Sequence, residues 1–106
     1  MIIEYYKDTF TLPIEVTDPA GVPINFTGTT IQFTLALRGG VAITEGTVGV
    51  IITKDAIGNI VIEMAASLMR TIVPGLYPYE VRVIYASGKE DTLFEDTLQL
   101  LAGVPR

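Results

Sequence analysis

Apolar and polar residues alternate with a period of two along most of this chain, and no other feature restricts its fold as much. In "TFTLPIEVT", Phe10, Leu12, Ile14 and Val16 occupy one phase and Thr9, Thr11, Glu15 and Thr17 the other. "TTIQFTLAL" repeats the pattern, with Ile31, Phe33, Leu35 and Leu37 against Gln32, Thr34 and Arg38. Successive side chains of a β-strand point to opposite faces, so this alternation predicts strands buried on one side. Pro13 falls on the outer phase and removes a ladder donor, which places the first of these strands at an edge or has it switch sheets.

Turn residues punctuate the pattern. "DPAGVPINFTG" carries Asp18-Pro19 and Gly21, residues suited to tight turns. "RGGVAITEG" reads as a glycine-bearing loop. "VGVIITKDAIGNIVIEMA" reads as two strands joined by a turn over 55–59, with Ile60, Ile62 and Met64 on one face and Val61 and Glu63 on the other. "AASLMRTI" is the one helix-like stretch, too short to be stable alone. "ASGKED" makes a hairpin turn around Gly88, and "TLFEDTLQLL" is the last strand. The expectation is an all-β, immunoglobulin-like β-sandwich of about seven to eight strands, with one short helical crossover between sheets near 65–71. A chain of 106 residues makes one domain, spanning 1–106, and buries roughly two thirds of its unfolded surface.

"GLYPYEV" at 75–81 tests whether the aromatic residues are core or display. Tyr77 and Tyr79 share their phase with Val81, Val83 and Tyr85, while Glu80 and Arg82 take the other. Both rings therefore belong to the buried face. A tyrosine near the start of a long central strand is also the setting of the tyrosine corner, in which the hydroxyl bonds nearby backbone. Phe10 and Phe33 join them as core. In "FEDT" the same reading puts Asp96 on the inward face, where a carboxylate is costly unless partnered. A β-bulge re-aiming it, or an edge strand guarded by an inward charge, would account for it.

Little catalytic equipment is present. The chain has no histidine and no cysteine, so the commonest general base and metal ligand are missing. Ser67 and Ser87 sit outside any nucleophile-elbow context. Glu95 and Asp96 are adjacent in a strand and point apart, which disfavours a working carboxylate pair. Asp8, Asp18, Asp55 and Asp91 fall at turns and strand ends without the dense run a calcium site needs. No enzyme activity, cofactor or metal is expected. Seven basic residues are scattered singly against twelve acidic ones, for a net charge of −5. Nucleic acid and anionic membranes are therefore not expected partners, and no apolar run is long enough to span a bilayer. "MIIEYYKDTF" lacks the features of a signal peptide, so synthesis in the cytoplasm is expected.

Hydrophobic residues make up 49% of the chain, with ten glycines besides. That is more than a small core hides, and it predicts that another subunit covers part of the surface. "VGVIIT" breaks the alternation by being apolar on both faces. Such a strand is either central between two layers or an edge covered by a partner, and Val48, Val50, Ile51 and Ile52 are the candidate interface residues.

Two phrases carry a family resemblance. Asp18, Gly21, Pro23, Asn25, Thr27, Gly28 and Thr30 form a "D..G.P.N.TG.T" motif, and Gly75, Tyr77, Tyr79, Glu80 and Val81 form "G.Y.YEV". Together they resemble a family of small phage and prophage virion proteins that includes the N-terminal domain of baseplate upper proteins. The resemblance implies a structural part of a tail, baseplate or host-attachment device. It also implies docking onto other virion proteins and a place in the virion, and the apolar excess adds the expectation of a homo-oligomer. The alternative is a carbohydrate-binding or adhesin-type sandwich, for which Tyr5, Tyr6 and Tyr85 are the only candidate platform residues.

Overall fold

The computed structural model describes residues 2–5 and 8–101. Among these are eight strands and one short helix: β1 (Ile2–Tyr5), β2 (Phe10–Glu15), β3 (Thr30–Ala36), β4 (Ala42–Thr44), β5 (Val50–Lys54), β6 (Asn59–Met64), α1 (Ala66–Met69), β7 (Gly75–Ile84) and β8 (Glu90–Leu101). The structure is mostly β, in two sheets. The larger has the order β1-β8-β7-β3-β4 and the smaller β2-β6-β5. Pairing is antiparallel except for β1, which runs parallel to β8 with Ile2 opposite Leu98.

The alternation read from the sequence becomes the shared core. Phe10, Leu12, Ile60, Ile62 and Met64 from the smaller sheet meet Phe33, Leu35, Val81, Val83, Leu98 and Leu100 from the larger in one hydrophobic cluster. Burying each such side chain is worth about 1.5–3 kcal/mol. Tyr77 and Tyr79 are both buried. Tyr79 lies between Phe33 and Phe94, with ring centroids 6.2 and 5.9 Å away in tilted geometry. The Tyr77 hydroxyl donates to the Val73 carbonyl four residues upstream. The Tyr79 hydroxyl is buried with no hydrogen-bond partner among the described residues.

The "D..G.P.N.TG.T" segment is a chain of small local devices. The Asp18 carboxylate accepts the Ala20 and Val22 N–H groups at 2.9 and 3.0 Å, and the Asn25 side chain accepts the Thr27 N–H at 2.9 Å. The segment buries Phe26 in the core, and the Phe26 N–H donates to the Asp55 carbonyl at 3.0 Å. Gly58, with φ of +86°, lies so close that a Cβ there would meet the Val16 carbonyl oxygen at 2.4 Å.

Several expectations need correction. The loop after Arg38 holds a 3-10 turn over Arg38–Gly40 and then the three-residue strand β4. Ala42, Ile43 and Thr44 do alternate, but the strand is too short to register between glycines. The helix is four residues long, Ala66–Met69, and Ala65 offers no side-chain cap at its start. Its last turn is closed by the Thr71 hydroxyl, which donates to the Leu68 carbonyl at 2.7 Å. Of the two explanations offered for Asp96, the edge position is the one observed. β1 pairs with β8 only from Leu98 to Leu101, so at Asp96 β8 has β7 on one side and no strand on the other among the described residues. The bulge falls between Val81 and Arg82, opposite Phe94 and Thr92. Asp96 keeps the inward phase opposite Tyr79 but is only half-buried, and its carboxylate accepts the Thr97 N–H at 2.8 Å. That bond holds its pKa below the ordinary carboxylate value.

Candidate docking interface

β5 is an outer strand of the smaller sheet, paired on one side with β6 and on the other with nothing among the described residues. Of the two readings of "VGVIIT", the edge is the one observed. Val50 and Ile52 are half-buried and pack against the core from the inner phase. Ile51 points outward and is 59% exposed, in a row with Glu63 and Thr11. Val48 lies in the turn before the strand and is 93% exposed.

That turn is built rather than loose. Thr47 N–H donates to the Thr44 carbonyl at 3.0 Å, and Val50 N–H to the Thr47 carbonyl at 3.1 Å. The Thr47 hydroxyl accepts the Thr44 N–H at 3.0 Å. Gly49 adopts φ of +99°, and its carbonyl accepts the Ala65 N–H at 2.8 Å. A Cβ at Gly49 would come within 3.1 Å of Leu68. The crossover thus fixes the position from which Val48 projects.

The far end of the strand is equally ordered. One Asp55 oxygen accepts the Ile57 and Asn59 N–H groups at 2.9 Å each, and the other accepts the Asn59 side-chain amide at 2.9 Å. These bonds, the Asn59 amide first, lower the Asp55 pKa. Ile57 projects from this turn and is 65% exposed. The sequence reading did not single it out, because a lone isoleucine inside a turn carries no periodicity. Val48, Ile51 and Ile57 therefore stand at the start, middle and end of one free edge.

Natural edge strands are commonly guarded by a charge, lysine above all, or by proline. β5 contains no proline, and its only charged residue, Lys54, turns its ammonium to the Thr29 carbonyl. β2, the opposite edge of the same sheet, does carry Pro13. The edge strand without proline thus carries exposed Ile51, and exposed Val48 and Ile57 stand in the turns that flank it.

The other expected residues fall elsewhere. Phe10, Phe33, Tyr77 and Tyr79 are core. Tyr6 lies outside the described residues. Tyr5 ends β1 opposite Leu101, whereas Tyr85 follows β7 beyond the Ile84–Glu90 pair. The length of β8 separates them, roughly 35 Å at about 3.3 Å per residue, so they form no common platform. Tyr85 instead lies under the Lys89 ammonium, 5.8 Å from its ring centre. Asp18 and Asp55 act as turn formers, and no cluster of three or more potential metal-ligating side chains occurs among the described residues. No protein-family model matches the chain, and a search of curated proteins finds no significant relative.

Proposed function

We propose that this chain is a non-enzymatic structural component of a phage or prophage particle, an immunoglobulin-like module that docks onto other chains through its β5 edge. The observation that carries the docking role is the proline-free outer strand β5, with Ile51 exposed on it and Val48 and Ile57 exposed in the flanking turns. Such a strand offers a row of unpaired backbone donors and acceptors, and partners recognise it by adding a strand of their own.

The immunoglobulin-like reading is supported by the strand order. Taken as A to G with an extra C′, β2-β6-β5 corresponds to B-E-D and β8-β7-β3-β4 to G-F-C-C′, with β1 as an A strand beside G. The Tyr77 bond to the Val73 carbonyl sits at the E–F corner, where the tyrosine corner of such domains lies. The virion setting rests on the resemblance of the "D..G.P.N.TG.T" and "G.Y.YEV" phrases. The adhesin alternative is weakened by the separation of Tyr5 from Tyr85.

Amide hydrogen exchange tests the docking edge directly. Raising the protein concentration, or adding the neighbouring tail proteins, is expected to slow exchange at Val50–Thr53 relative to β2. Unchanged exchange on β5 together with protection elsewhere would move the docking site off this edge.

A further inference from the structure

The outer face of the larger sheet carries a second unexplained feature, distinct from the β5 edge. On it Glu80 of β7 and Glu95 of β8 stand directly opposite each other. Like charges in that relation destabilise a sheet. Arg82 offsets only part of this: it lies 3.8 Å from Glu80 and 3.7 Å from Glu90, so its charge is shared. Glu95 has no ion pair among the described residues. Glu80 and Glu95, with Asp96 beside them, line a trough of about 550 Å³ together with Thr34, Ala36, Pro78 and Thr97. Immediately along the same face run the exposed apolar residues Leu76 and Ile3, joined in one row through Gln99.

We propose that this trough receives a protein segment presenting a lysine or arginine flanked by apolar side chains. The cation would sit between Glu80 and Glu95, and the flanking groups would cover Leu76 and Ile3. Charge argues for the sign of the partner and against a symmetric self-contact, since a second copy meeting face to face would bring the same two carboxylates together. The chain's own described cations are mostly committed as well. Arg82 belongs to the face, Lys89 lies 3.5 Å from Asp91, and Lys54 bonds the Thr29 carbonyl. Arg70, exposed beside the crossover, is a cation that a second copy could contribute.

The test uses the isotopically labelled protein and two blocked peptides, Thr-Val-Arg-Val-Thr and its counterpart with glutamate at the centre. Nuclear magnetic resonance is expected to show amide shifts at Thr34, Glu80, Glu95 and Thr97 with the arginine peptide. Affinity should fall about five- to tenfold with the glutamate peptide and in the Glu80→Gln/Glu95→Gln double variant. The double variant should unfold at a higher urea concentration than the native chain, because the opposed charges are gone. That readout separates lost recognition from lost folding. No shift at these amides up to about 5 mM arginine peptide, or equal binding by the two peptides or by the double variant, overturns the proposal. So would concentration-dependent shifts there in the protein alone that Arg70→Glu abolishes, since they would put a second copy in the trough. None of these outcomes bears on the β5 edge, which is read from different amides.

Discussion

Tyr77 and Tyr79 sit two residues apart on the same buried face, yet their hydroxyls have opposite fates, and stability should register the difference. Tyr77→Phe removes the bond to the Val73 carbonyl and is expected to cost about 0.5–1.5 kcal/mol in urea unfolding. Tyr79→Phe removes a buried hydroxyl that has no partner among the described residues, so it is expected to be neutral or stabilising. Equal losses in the two variants would contradict this assignment. Burial, with the nearby Asp96 carboxylate adding to it, pushes the Tyr79 pKa up to about 12. The folded state then holds this proton more tightly than the unfolded chain, whose tyrosines titrate near 10. Stability contributed by the neutral phenol is therefore complete below about pH 10 and is lost as pH rises toward 12. Alkaline unfolding of Tyr79→Phe should show a shallower decline over that window than the native chain. At this scale the sequence was legible where phase decides: the period-two pattern placed both rings in the core. It was silent on which hydroxyl finds a partner, because Val73 is brought within reach by the crossover and not by the strand.

Turns connect residues to elements, and here the glycines divide by what surrounds them. Gly58 and Gly88 both adopt left-handed backbone, with φ of +86° and +90°. A Cβ at Gly88 meets nothing within 4 Å, while one at Gly58 strikes the Val16 backbone. Gly88→Ala should cost about 1–2 kcal/mol from the backbone conformation alone. Gly58→Ala should cost about 3 kcal/mol or more, because the Val16–Gly58 contact must open as well. Similar urea midpoints for the two variants would show that the approach of Val16 is not a constraint. Elements with several alternating residues were legible: β2, β3, β6, β7 and β8. β1 was not, since the four residues "IIEY" show no alternation and its partner β8 lies at the other end of the chain. β4 was hidden by its brevity. Phe26, fully buried from a loop, had no neighbours in phase to mark it.

For the molecule as a whole, the proposed docking surface is β5, an outer strand that contains no proline and carries exposed Ile51. Part of this was legible: "VGVIIT" betrayed itself by failing to alternate, and Val48 and Ile51 are indeed exposed at that edge. What could not be read was the Lys54 ammonium bonding the Thr29 carbonyl, which lies far away in sequence, or Ile57 standing exposed in the local turn that Asp55 builds. Ile51→Lys is a clean probe of the edge. The position is exposed and stands opposite Glu63, so the new charge gains a cross-strand partner and should change stability by no more than about 0.5 kcal/mol. The decisive measurement is the solution mass of the native chain and of Ile51→Lys by light scattering, across about a tenfold concentration range. A defined oligomer for the native chain and a monomer for the variant is the predicted result. An oligomer that survives the substitution, or a native chain that stays monomeric at every concentration, would contradict self-assembly through β5.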